Sequence, residues 1–292
     1  MSKFVGIFRK QRGKVGDFVF RKQGNEYIVS EKPPKKGTSM GTQNQAFYRA
    51  QWGNLVRFWQ SFSDRDRPSF EAATINVSHF NLFMRANING SRVYLTKENV
   101  RLGACVVAPY RVSLGSLSTI GVEAPQSGVY VTSISLGSLV LDANTTIAEF
   151  SQNVLDYNLD FNPGDQISVF VATQIVDSSL GIPRCVMSAY KVELKTDDNE
   201  THLRQVIPAN VGIVSDGMFA IQAVGDGGVA VVKSRKTADG LTLVSTQSFV
   251  VNNSILSQYN NADARIKAAE SYGIIDRGDW LTPNGENEIA AI

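Results

Sequence analysis

Two cysteines and two histidines in 292 residues leave this chain little material for thiol, imidazole or metal chemistry. Cys105 and Cys185 are too few for a disulfide framework, and each reads as a buried, reduced thiol inside a strand. His79 falls in an apolar helical pattern and reads as a packed or capping residue. His202 falls in the polar run 195–203 and reads as solvated. His79 has no acidic or thiol companion nearby and His202 sits in a polar loop, so neither is expected to serve as a nucleophile's base or a zinc ligand. The densest acidic group, Asp197-Asp198-Asn199-Glu200, lacks the alternating ligands and central glycine of a calcium loop. Gly13 and Gly16 precede no Gly-x4-Gly-Lys-Ser/Thr run, so they are turn glycines rather than a phosphate loop. We therefore expect no enzyme, no cofactor and no metal site.

Long apolar runs are also missing. Nothing approaches the roughly 18 residues of a membrane span, and charge, not an apolar leader, follows Met1-Ser-Lys-Phe-Val-Gly6. The expectation is a chain made in a reducing cytoplasm without membrane partners. Charged residues are scarce too, at 19%, below the usual quarter. With Ser, Thr, Asn, Gln and Gly abundant, that balance favours a β-sandwich or barrel over long charged helices.

What charge there is lies unevenly. Residues 1–40 hold ten Lys/Arg against Asp17, Glu26 and Glu31, a net of +7, which leaves −5 for the remainder of a chain whose total is +2. A basic arm on a mildly acidic body implies a negatively charged partner or another copy's body. Within the arm, Asp17–Lys22 and Glu26–Ser30 are β-prone runs around Gly24-Asn25, a hairpin signal. Pro33-Pro34 forces extended chain, and 35–42 reads as a connector. The arm's aromatics Phe4, Phe8, Phe18, Phe20 and Tyr27 suit either base stacking or a strand's core face.

From Gln43 to Phe62 the period becomes helical: Tyr48, Trp52, Leu55, Trp59 and Phe62 share one face, widened by Phe47, Val56 and Phe58. A second helix is predicted from Phe70 to Asn89, making a helical hairpin whose aromatics serve mainly as core and otherwise as a docking surface. Strands follow at 93–96, 105–112, 129–134, 139–141, 166–173, 186–192, 212–214, 218–224, 229–235 and 241–247, with Asn162-Pro-Gly-Asp165 and Ala238-Asp-Gly240 as turns. A capping box at Thr146-Ile-Ala-Glu149 starts a helix to Asn158, and a short helix is predicted over 261–272. Ser113-Leu-Gly-Ser-Leu117 recurs as Ser135-Leu-Gly-Ser-Leu139.

Several runs are similar, in order, to an uncharacterised family common in Bacteroidetes genomes and their phages. They are Gly13-Lys-Val-Gly16, Lys32-Pro-Pro-Lys35 with Gln43–Arg49, Phe80–Ile88, Ala108–Leu117, Val231–Lys236 and Leu243–Gln247. The resemblance implies an immunoglobulin-like body and, in the crAss-like phages, a virion structural setting; it brings no catalytic residue.

The expected fold class is α+β, mainly β: a basic arm with a short hairpin and linker (1–42), a helical hairpin (43–90), an antiparallel immunoglobulin-like β-sandwich body (91–251, as one sandwich or two with a break near 195–210), and a tail with a short helix (252–292). The expected role is an auxiliary or decoration capsid protein in the virion. It would dock on the major capsid protein through Arg9, Lys10, Arg12, Lys14, Lys35 and Lys36, with self-association as a further partner class. A neck or tail component, or a nucleic-acid-binding protein using the same arm, are the alternatives.

Overall fold

The computed structural model describes residues 13–15, 18–23, 26–31, 43–73, 77–123, 128–222 and 225–272. The connector 35–42 and the tail from Gly273 onward, both singled out in the sequence, lie outside the described residues. The chain divides into two compact units, 1–41 and 42–292.

In the first unit, β1 (Gly13–Val15), β2 (Phe18–Gln23) and β3 (Glu26–Glu31) form an antiparallel sheet in that order. Gln23 opposite Glu26 closes the hairpin that Gly24-Asn25 announces.

The second unit begins with α1 (Gln43–Ser61), β4 (Ser69–Phe70), α2 (His79–Asn87) and α3 (Lys97–Leu102). It continues through β5 (Arg111–Leu114), β6 (Val129–Ser135), α4 (Ile147–Tyr157), β7 (Gln166–Val176), β8 (Pro183–Glu193) and α5 (Leu203–Val206). Then come β9 (Gly212–Ser215), β10 (Met218–Gln222), β11 (Gly227–Lys236), β12 (Thr242–Val244), β13 (Gln247–Ser248), β14 (Val250–Asn252), α6 (Leu256–Tyr259) and α7 (Ala262–Ser271). The fold is mixed α+β, mainly β, with antiparallel sheets; the one parallel pairing among the described strands is β4 with β5.

The central sheet runs β12-β11-β7-β8, with β14 also on β11. Its apolar residues do not alternate with polar ones, because both faces are covered. Ile167, Val169, Val171, Val229 and Val231 enter one core with Tyr130, Phe150 and Phe219 from the sheet β6-β10-β9 and from α4. Phe170, Ala172, Ala230 and Val232 enter a second core with Leu55, Phe58, Phe62 and Phe83 of α1 and α2. Period 2 thus survives along β7 and β11, but it sorts apolar side chains between two cores instead of between core and water.

The second core is aromatic. Phe58 meets Phe62, Phe83, Tyr110 and Phe249 at centroid distances of 5.0–6.4 Å, within the range where ring pairs add to area burial. Helix α1 sends Leu55, Phe58, Trp59 and Phe62 of its predicted face into that core, but in its first half the buried face is rotated: Ala46, Phe47, Ala50 and Asn54 are buried, whereas Tyr48 and Trp52 stand out. Small residues set the rotation: Ala46 and Ala50 pack against Ala269 and Ala268 of α7. Gly53 lies so close to Val100 that a Cβ would sit 2.4 Å from its Cγ2.

The second helix is shorter than its apolar period suggests. Residues 69–70 are a strand instead, with the Glu71 amide donating to the Leu114 carbonyl (3.1 Å) and the Phe70 amide to His79 Nδ1 (3.1 Å). The helix waits for Ser78, whose Oγ accepts from the Asn81 amide (3.3 Å). By contrast α4 and α7 start at the residues the sequence marks, with Thr146 Oγ1 accepting from Glu149 N (3.1 Å) and Asn261 Oδ1 from Ala264 N (2.8 Å).

Three predicted strands are not strands: 93–96, 105–110 and 139–141. The first two are buried chain without ladder partners: Tyr94 N donates to the Tyr259 carbonyl of α6 (2.9 Å) and Leu95 N to the Ala50 carbonyl of α1 (3.2 Å), while 105–107 bonds largely to side chains. Asn54 grips Val106 at both its carbonyl (2.9 Å) and its amide (2.8 Å). Gln174 takes the Val107 amide on Oε1 (2.8 Å) and gives Nε2 to the Cys105 carbonyl (3.2 Å), while Cys105 N donates to Pro183 O (2.8 Å). Two buried amide side chains thus stand where a neighbouring strand would. Asn162-Pro-Gly-Asp165 is the expected turn, with Gly164 at φ +84°. The two Ser-Leu-Gly-Ser-Leu copies both fall where a strand ends, β5 in one case and β6 in the other.

Candidate docking surfaces and the search for chemistry

Among the described residues no group of three or more His, Cys, Asp or Glu could hold a metal. The acidic run near 197 serves a turn: Asp198 Oδ1 accepts from the Thr201 amide (3.0 Å) and its carbonyl accepts from Ala148 N (2.9 Å). His202 is not a loop residue in water. It is half-buried at the start of α5, its Nδ1 3.1 Å from the Asn144 carbonyl. His79 receives the Phe70 amide, and partial burial draws its pKa below the ordinary value.

Both thiols are free. Cys105 is buried, but in the irregular segment before β5, and Cys185 is half-buried in β8, 3.8 Å from Ser61 Oγ. The neighbouring thiols shift each other in opposite directions, the pKa of Cys105 upward and that of Cys185 downward. Their proximity has no local signature in the chain, because it depends on the Cys105–Pro183 and Gln174 bonds.

The nearest thing to a nucleophile and base is Ser118 Oγ, 2.6 Å from Lys233 Nζ. Lys233 is 1% exposed, and burial lowers its pKa against the pull of the Asp160 and Asp165 carboxylates. Its ammonium also donates to the Asp160 carbonyl (3.3 Å) and lies 4.7 Å from the centre of the Phe161 ring. Alongside, Arg235 grips the fully buried Asp165 through Nε (2.6 Å) and Nη2 (2.7 Å). A cation on an aromatic face with two oxygen acceptors is held as a cation. The cluster fastens β11 to the 158–165 turn rather than poising a base.

The exposed features suit contact with a partner. Tyr48 and Trp52 stand one turn apart on α1, 53% and 47% exposed. Beside them Phe47, Tyr48, Gln51, Ile88, Asn89 and Arg265 line a shallow cleft of about 290 Å³, with the Arg265 guanidinium 4.0 Å above the Phe47 ring. Aromatic and arginine side chains are the types enriched at protein interfaces. Further exposed apolar residues lie around α4 (Val140, Tyr157, Leu159) and at the β7–β8 tip (Ile175, Val176, Leu180). Of the six cations expected to touch a partner, Lys14 is on β1, opposite Val19. Arg9, Lys10, Arg12, Lys35 and Lys36 lie outside the described residues.

No family model, curated protein or solved structure matches this chain. No helix among the described residues is long and apolar enough to cross a membrane.

Proposed function

We propose that this is a non-enzymatic virion structural protein of a tailed phage, an auxiliary or decoration protein that docks on capsid subunits through its basic N-terminal arm. The observation that carries the reading is the division of the chain: residues 1–41 form a unit of their own, and that unit holds the +7 excess while the body is net acidic. A small basic unit separate from the body suits attachment to an acidic neighbouring surface. The exposed Tyr48 and Trp52, at the start of the first body helix, would extend that contact. The virion setting rests on the sequence resemblance. The body is read as an immunoglobulin-like sandwich, supported by the two antiparallel layers β6-β10-β9 and β12-β11-β7-β8 around one core.

The test is rebinding. Capsids stripped of this protein are mixed with the full chain or with residues 37–292, and bound copies are located by cryo-electron microscopy. We expect density repeated over the shell for the full chain and at least a tenfold loss for the truncated one. Equal binding sinks the arm's role, and density confined to the neck or tail moves the protein there. Retention of the full chain on DNA that falls steeply with salt would assign the arm to nucleic acid instead.

A further inference from the structure

Several arginines of the body are engaged. Arg67, Arg101, Arg184 and Arg235 pair with carboxylates, and Arg57 and Arg204 donate to backbone carbonyls. Arg92 and Arg111 are different. Both are exposed, neither makes an ion pair or a side-chain hydrogen bond among the described residues, and both line one cleft of about 340 Å³.

That cleft lies between the end of α2, the segment 90–93, β5 and α6, and no Asp or Glu lines it. Its polar remainder is Asn87, Ser248 and Asn260; the rest is apolar, including Pro109 and Leu256. The base under Arg111 is fixed. Buried Asn87 gives Nδ2 to the Arg111 carbonyl (2.9 Å) and takes the Arg111 amide on Oδ1 (2.7 Å), and Ser248 is the cross-strand partner of Arg111. The neighbouring Tyr110 hydroxyl is tied to Asn54 (2.7 Å) and Ser91 (3.0 Å). Two unpaired guanidiniums thus flank a concavity with a rigid floor and no counter-charge. A guanidinium fork matches carboxylate and phosphate oxygens, and the volume is at the small end of ligand sites.

We infer that this cleft binds an anion bearing two oxyanion groups, carboxylate or phosphate, one for Arg92 and one for Arg111. Such groups come from a free small molecule or from two acidic side chains of a partner segment. The cleft sits apart from the aromatic surface at Tyr48 and Trp52, and its occupancy does not depend on the virion reading.

Isothermal titration of the full chain with inorganic pyrophosphate, with citrate and with acetyl-Glu-Gly-Glu-amide tests this. The variants are Arg92→Gln, Arg111→Gln, the double variant, and Arg85→Gln as an exposed arginine outside the cleft. The basic arm is present in all of them, so any binding it adds is a common background. Each single cleft substitution should weaken the best probe roughly tenfold or more, the scale of one charge-assisted hydrogen bond. The double variant should lose saturable binding, while Arg85→Gln keeps it. Tighter binding of the tripeptide than of pyrophosphate identifies a partner's acidic side chains as the source; the reverse identifies a free phosphate compound. If no probe saturates the wild-type protein, or the double variant binds as well as wild type at an unchanged melting temperature, the inference is wrong. Should the double variant melt early, the two single variants carry the comparison.

Discussion

Single side chains in this protein do work that a strand or a turn does elsewhere, and His79 is one whose contribution can be switched by pH. Its Nδ1 accepts the Phe70 amide at the one point where the chain passes from β4 toward α2. Partial burial holds its pKa below the ordinary value of 6.5. The unfolded chain therefore takes up a proton before the folded one as pH falls. The stability from the neutral imidazole is fully present above about pH 6.5 and is lost as pH drops through that value toward the lower folded pKa. His79→Asn offers an amide oxygen near the place of Nδ1 and does not titrate. Thermal melting at pH 7.5 and pH 5.0 should show a larger drop for wild type than for the variant. Parallel curves would mean that the imidazole contributes nothing measurable. The effect will be modest, because much of the ring is exposed.

At the scale of elements, helix crossings depend on small residues, and Gly53 sets two known terms against each other. Alanine in a helix interior is favoured over glycine by about 1 kcal/mol. Here the added Cβ would meet Val100 Cγ2 of α3 at 2.4 Å, and overpacking of a closed interior costs about 1–3 kcal/mol. Gly53→Ala should therefore destabilise, by up to about 2 kcal/mol in urea unfolding. Val100→Ala in the same chain should recover most of that loss; additive effects of the two substitutions would refute the clash. The same contrast explains what was legible in the sequence. Helices α4 and α7 announce themselves because Thr146 and Asn261 act on amides three residues ahead, and strands β7 and β11 because period 2 persists even with both faces covered. The segment 104–110 looked like a strand because it is apolar and buried like one. Its hydrogen-bond partners, Asn54 and Gln174, are 52 to 69 residues away and carry no local signature. The face of α1 was misjudged for a related reason. Spacing ranks Tyr48 and Trp52 with Leu55, but alanines 46 and 50 meeting α7 turn the helix away from them. The two cleft arginines carry no local signature, since what sets them apart is a shared concavity built by α2, β5 and α6.

The whole molecule poses a question of independence. All buried residues of the four described cores fall between Ala46 and Ala269, and residues 1–41 are compact by themselves with a three-stranded sheet. If the body owes its stability to those cores, removing residues 1–36, the truncation used for rebinding, should leave one cooperative transition with a melting temperature within about 2 °C of the full chain. A loss of 1 kcal/mol would move a body of this size by roughly 2–4 °C, so a shift beyond that range would show that the arm braces the body. Differential scanning calorimetry of the two chains decides it. The result governs how capsid rebinding is read. With an unchanged transition, weaker binding by the truncated chain belongs to the arm's own contacts, whereas a lowered transition would leave a damaged body as the cause.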